Sequence, residues 1–412
     1  MTLQTRIAAP RPGDHRAWEP LTGAARRIAL EVLLDGPLSR RDLSRRMALS
    51  PGSLTRLTRP LLDSGLLVET DAVEAGTSET PGAESTGVAA APRLGRPAQP
   101  LAVVPGSHHF IGVKLTGDHA YAALTDLRAE ILAADDAPLP GHGPQDVLDV
   151  VATLADRLVA RLAALSPGAG VTGLGVSVGG HVAGRSVVTD APHLGWLDVP
   201  LGELLAARTG LRTVVENDIV AVTEATHWFG EGHGCDRFAL FTIGAGIGYG
   251  LVVHGEAVTS PEAGLSLLSH FPLDAAGPTG ACGHTGCATA MLTIGALVAE
   301  GSSALGRDVT YDQLLDLAAA GDPVASRVVD RAGRALGRML AAVANLTMPE
   351  RIVLGGEGVR LAQVAAAALR DGLHDDRNPR TRDPEIALQS PELALWARGA
   401  AVVAIQSLVL GR

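Results

Sequence analysis

Apolar residues recur at helical spacing over residues 22–35, where Ala25, Ile28, Ala29 and Val32 share a face, and Gly36-Pro37 ends the run. Ser39 caps a short second helix to about Met47, with Asp42 in its first turn. Ser50 caps a third, and Pro51 takes the favoured first position. In that helix Leu54, Leu57 and Leu61 face inward, while Gly52, Ser53, Thr55, Arg56 and Arg59 face outward. Gly65 stops it, and residues 66–69 read as a strand. The order is that of a helix-turn-helix whose third helix is free to enter a groove.

Downstream the period changes. Residues 108–115, 119–125 and 129–134 read as strands, and 144–165 as a long amphipathic helix. An apolar strand at 171–178 ends on Gly179-Gly180, and another at 212–216 ends on Asn217-Asp218 before a helix to about residue 229. The theme then repeats. A strand at 237–243 meets Gly244, Gly246 and Gly248, and the chain returns over 249–254. Helices follow near 289–299, 310–320 and 323–345, then a strand at 351–354 before Gly355-Gly356. The pattern closes on an amphipathic helix at 392–410, interrupted by Arg398 and Gln406. This is an α/β chain with two β/α lobes, a cleft between them, and the alternation of an actin-like nucleotide fold.

Charge sharpens the picture. The net charge of −10 does not point to nucleic acid. Its distribution does. Arginines 26, 27, 40, 41, 45, 46, 56 and 59 crowd the first helices against Glu31, Asp35, Asp42 and Asp63. A basic head on an acidic body predicts phosphate contact by the head. Ser53 and Thr55 are placed to approach base edges and Arg56 to reach a guanine or a phosphate, Arg40, Arg41, Arg45 and Arg46 lie nearer the DNA backbone, and Arg59 also faces the DNA. Residues 70–92 have a linker's composition. A return strand follows, with Gly95, Arg96 and Pro97 either at a wing whose Arg96 enters a minor groove or in an ordinary turn. The domains expected are a flexible tail at 1–20, a winged helix-turn-helix at 21–104 with 70–92 as a flexible insertion, and a body at 105–412. Three cysteines argue for a reducing cytoplasm over a disulfide framework. The sequence has no signal-like start and no apolar run long enough for a membrane span.

Two places hold candidate chemistry. Asn217-Asp218 at a strand end offers a base and a hydrogen-bonding amide, or else a helix cap. The turn-rich stretch 261–288 gathers His270, Cys282, His284 and Cys287. That set suits a tetrahedral Zn²⁺, although it also fits a loop with two ordinary cysteines.

These residues resemble the ROK family of sugar kinases and sugar-responsive repressors, and with the head included they resemble its repressor branch. The family carries Glu-x-Gly-His and then Cys-x-Cys-Gly-x-x-Gly-Cys. Here His270 takes the histidine position, and Cys282, Gly283, Gly286 and Cys287 match the second motif. Gly280 replaces the family's first cysteine, so His284 or a water completes the set that the resemblance implies for zinc. Asn217-Asp218 matches the sugar-binding pair whose aspartate is the kinase base. Residues 176–182, 244–250 and 354–358 resemble the family's sugar-pocket, phosphate-loop and nucleotide-side glycine motifs. Gly179, Gly180, Asn217, Asp218 and His270 are thus the expected ligand-binding residues.

The departures are specific. Lys114 and Asp118 stand where kinases carry Asp-x-Gly-Gly-Thr, Ala245 and Tyr249 alter the phosphate loop, and Leu267 replaces the sugar-gripping glutamate. Charge inversion at a phosphoryl-transfer site removes transition-state stabilisation, and Tyr249 is a steric objection to a phosphate cradle. The resemblance therefore implies an actin-like (ribonuclease H-like) body without kinase activity, joined to a winged helix. The expected partners are a double-stranded DNA operator and a sugar or sugar-phosphate effector. A homodimer or homotetramer in the cytoplasm is expected, repressing genes of carbohydrate use.

Overall fold

The structure is a computed structural model and describes residues 18–70, 99–260, 262 and 266–412. Arg96, the wing tip around it, the linker and most of the N-terminal tail lie outside the described residues.

The head is built from α1 (Gly23–Asp35), α2 (Arg40–Met47) and α3 (Pro51–Asp63), closed by an antiparallel pair of β1 (Leu67–Glu69) and β2 (Leu101–Val103). Ser39 Oγ accepts from the Asp42 N–H and Ser50 Oγ from the Ser53 N–H, so both expected caps form. Leu54, Thr58 and Leu61 are the buried positions of α3. Leu57 is only half-buried, because the face turned inward is centred one residue further on.

The first lobe comprises β3 (His109–Leu115), β4 (His119–Thr125), β5 (Ile131–Pro138), α4 (Pro144–Leu165) and β6 (Val171–Val178). Next come β7 (His181–Ala183), β8 (Val187–Ala191), β9 (Trp196–Val199), α5 (Leu201–Thr209) and β10 (Thr213–Asn217). Its sheet runs β10-β6-β3-β4-β5, with the first three strands parallel. Strands β7, β8 and β9 form a separate small sheet. Helix α6 (Asp218–Phe229) leads to the second lobe. That lobe holds β11 (Arg237–Ile243), β12 (Ile247–Val253), β13 (Glu256–Ala257), α7 (Ala288–Leu292), α8 (Ile294–Leu305), α9 (Tyr311–Ala319) and α10 (Pro323–Thr347). It continues with β14 (Arg351–Gly355), α11 (Arg360–Val364), α12 (Ala366–Asp375) and β15 (Glu385–Leu388). Its sheet order is β13-β12-β11-β14-β15.

Helix α13 (Leu393–Leu408) then crosses back to the first lobe. The expected last helix forms, but it has no solvent face along its middle, since every residue from Gly399 to Gln406 is buried. Glycines in the sheet allow the approach. A Cβ on Gly112 would collide with the Ala397 carbonyl, and one on Gly175 with the Ala400 carbonyl. Gln406, fully buried, donates to Glu224 Oε2 on α6 at 2.8 Å.

The head is tied to the far end of this helix. Val409 O accepts the Leu21 N–H at 2.8 Å and the Trp18 indole N–H at 3.4 Å. Arg26 donates to Gly411 O at 3.1 Å, and Arg212 to Trp18 O at 3.0 Å. Ile28 and Leu33 of α1 share one apolar core with Phe110, Ala401 and Ile405 of the body.

Candidate functional site

Three surfaces carry the residues singled out in the sequence. The first is an inter-lobe cleft of about 660 Å³. The C-terminal ends of the parallel strands β3, β6 and β10 open into it, as ligand sites in open α/β sheets do. Gly179, Gly180, Asn217 and Asp218 all line it. Gly180 has φ +153°, and a Cβ there would strike the Asp190 carbonyl.

Asn217 is the N-cap of α6. Its Oδ1 accepts from the Ile219 and Val220 N–H groups, and its Nδ2 donates to Gly180 O at 2.7 Å. The cap reading and the site reading therefore coincide, since the cap holds Asp218 at the cleft. Asp218 Oδ1 accepts from the Ile219 N–H at 2.8 Å. Asp218 Oδ2 is in hydrogen-bonding contact with Lys114 Nζ. The two side chains are only 8% and 14% exposed, and the ammonium lies 5.2 Å from the centre of the Trp396 ring. Lys114 is the only lysine among 34 Lys and Arg residues. Sequence reasoning found the charge inversion at Lys114 but not its direct contact with Asp218, because a partner on another strand end leaves no local signal.

The glycine-rich turn between β11 and β12 forms the opposite wall. Tyr249 lines the cleft beside it, and its ring leans on Phe241, with centroids 5.2 Å apart and its hydroxyl toward Thr347. Burial pushes the Tyr249 phenol up from its usual range. Glu357 also approaches the turn, since its Oε2 would lie 2.6 Å from a Cβ on Gly244. Gly248 and Gly250 make room for packing, since Cβ atoms there would strike Ile219 and Thr223 of α6. Leu267 lines the cleft at the family's glutamate position.

The second surface is the metal group. One donor atom from each of His270, Cys282, His284 and Cys287 lies within 4.8 Å of the others. The two sulfurs are 3.5 Å apart, and the His270 and His284 Nδ1 atoms 3.2 Å. Tetrahedral Zn–N and Zn–S bonds of roughly 2.0–2.3 Å put ligand atoms roughly 3.3–3.8 Å apart, so the donor set fits that ion. Turns at Gly283 and Gly286, both at positive φ, bring the set together. Cys287 precedes α7 as its N-cap. The His284 backbone N–H holds the Cys282 thiol below its ordinary pKa. A Cβ at Gly280 would sit 3.4 Å from Cys282 Sγ, which shows where a cysteine at that position would add a sulfur. His270 belongs to this group and is not among the described residues that line the cleft, whereas Ser266 and Leu267, on the same segment, are.

The third surface is the exposed side of the head. A groove between α2 and α3 is lined by Arg40, Arg41, Ser44, Arg45 and Thr55. Several arginines are already paired: Arg40 with Glu69, Arg45 with Asp42, Arg46 with Glu31 and Asp35, and Arg59 with Asp63. Arg41 and Arg56 are exposed and have no acidic partner among the described residues. Ser53 Oγ accepts from Ser50 Oγ, and the Thr55 hydroxyl turns back to Pro51 O at 3.0 Å.

A helical head closed by a strand pair thus sits on a two-lobed α/β body with a ligand-sized cleft and a His/Cys group. A profile of the ROK family matches residues 110–405, and the chain belongs to that family. It is 25% identical over 355 residues to the DNA-binding transcriptional repressor Mlc of Escherichia coli, covering 84% of this chain and 83% of that protein. The dual regulator NagC of Escherichia coli is 27% identical over 348 residues, covering 81% and 80%. The glucokinase of Thermotoga maritima is 29% identical over 283 residues, covering 65% of this chain and 87% of the kinase. In three dimensions, a crystal structure of a ROK family transcriptional regulator homologous to Mlc superposes with a TM-score of 0.77 at 25% identity, over 94% of this chain and 96% of the other. A Streptomyces griseus ROK glucokinase shares the fold with a TM-score of 0.60 over 72% of this chain.

Proposed function

We propose that this protein is a cytoplasmic transcriptional regulator that represses genes of carbohydrate use and has no kinase activity. Its α3 enters the major groove, with Arg56 and Arg41 as the free cations, and a dimer reads an inverted repeat because one head reads a half-site. A sugar or sugar phosphate in the cleft shifts the balance between DNA-competent and incompetent arrangements. Zn²⁺ held by His270, Cys282, His284 and Cys287 would staple the loop that carries Ser266 and Leu267 into the cleft wall. The observation that carries this reading is the joint occurrence of the basic head and the pairing of Asp218 with Lys114 in the cleft. The kinase base, Asp218, is held by Lys114, and Glu357 stands against the glycine turn.

The test is selection of genomic DNA fragments by the purified protein at physiological salt, with Arg56→Ala alongside. A palindromic site enriched by the wild type and lost in the variant supports the reading. No enrichment, together with ATP-dependent phosphorylation of a hexose that Asp218→Asn abolishes, would replace it with a kinase.

A further inference from the structure

The cleft's charges narrow its occupant. Its described walls carry four carboxylates, Asp118, Asp218, Glu262 and Glu357, against the single ammonium of Lys114. Asp218 already neutralises that ammonium. An incoming phosphate therefore meets unbalanced negative charge, and Glu357 stands beside the glycine turn where its oxygens would seek backbone N–H groups.

The same pair is well made for neutral oxygen. An ammonium has three N–H donors, and among the described residues only Asp218 accepts one of them. Trp396 covers another side of the ammonium without accepting a conventional hydrogen bond. The Asp218 carboxylate retains acceptor capacity beyond Lys114 and the Ile219 N–H. Side by side, a donor and an acceptor match two adjacent hydroxyls, one donating a hydrogen bond to the carboxylate and the other accepting one from the ammonium. Lys114 is a compact ammonium with three rotatable donors, where an arginine would present a planar fork, and the chain uses lysine here alone.

We infer that Lys114, with Asp218, is the specificity-determining pair of the cleft, and that the cleft takes an unphosphorylated polyhydroxy ligand and rejects its phosphate ester. This rests on the reading of the cleft as the effector site.

The experiment is isothermal titration of the full chain with matched pairs of probes at fixed salt. The probes are glucose, mannose, N-acetylglucosamine and N-acetylmannosamine, each beside its 6-phosphate. At least one neutral sugar is expected to bind at least tenfold more tightly than its 6-phosphate. Lys114→Met should abolish that binding, and Lys114→Arg should restore little of it. Glu357→Gln, which removes one of the cleft's carboxylates, should improve phosphate-ester binding about tenfold. A 6-phosphate that binds as well as its parent sugar would overturn the inference. So would unchanged binding in a folded Lys114→Met variant, or no binding by any probe. Operator binding by the same preparations is measured separately, so loss of the cleft assignment leaves the DNA-binding reading standing or falling by itself.

Discussion

Lys114 and Asp218 meet ammonium to carboxylate although they lie on different strand ends, and both are largely removed from water. Breaking such a pair leaves an uncompensated charge, whereas replacing both members with apolar residues need not. Asp218→Ala is expected to lower stability by about 3–5 kcal/mol, and the double change Lys114→Met with Asp218→Leu by clearly less. Urea unfolding of the single and double variants checks this. Equal losses would mean that the ion pair is not what holds this corner of the cleft.

The arginines of the head divide by their partners. Arg56→Ala and Arg41→Ala are each expected to weaken operator binding about tenfold, with a salt-dependence slope shallower by about 1. Arg59→Ala should matter less, because Asp63 already engages its guanidinium. Fluorescence anisotropy across a salt series separates the cases. A larger loss for Arg59 than for Arg56 would show that Asp63 releases Arg59 to the DNA.

The metal group makes its own prediction. Purified protein should carry about one Zn²⁺ per chain, and Cys287→Ser and His284→Ala should each lose it on dialysis. Elemental analysis reads the content directly. Full zinc in His284→Ala would assign the fourth position to water.

Acid should loosen the joint behind α6. Burial, with Arg412 and His233 adding repulsion, lowers the His227 pKa from 6.5 to about 4. A folded-state value below the unfolded one means that the unfolded chain binds the extra proton. The stability is therefore whole above about pH 6.5 and falls as pH drops toward 4, by about 1–2 kcal/mol for a partly solvated ring. Thermal unfolding of His227→Phe should lose less over that window than the wild type does.

Much of this architecture is readable along the chain because its signals are local. Caps at Ser39 and Ser50, the period of 144–165 and the glycines after each strand mark elements that formed where expected. The long apolar run of α13 marks a helix but not its surroundings. Arg398 and Gln406 look like a polar face until the partners are known, and those partners, Phe229 O and Glu224, come from elsewhere in the chain. The small sheet of β7, β8 and β9 escaped notice because its strands are short and glycine-interrupted. In the cleft, residue types are legible while pairings are not. Sheet register pairs Tyr249 with Phe241, and the approach of Glu357 to the glycine turn leaves no local signal.

Helix α13 also imposes an order on synthesis. The first-lobe sheet is complete in sequence at Asn217, yet the helix that covers Gly112 and Gly175 is translated only after the whole second lobe. The carbonyl that receives Leu21 and Trp18 comes later still, at Val409. A nascent chain on the ribosome thus has its DNA-reading helices long before the helix and carbonyl that complete their seat, and a product truncated before residue 393 keeps only the head's contacts with the first lobe, such as Arg212 to Trp18 O and the packing against Phe110.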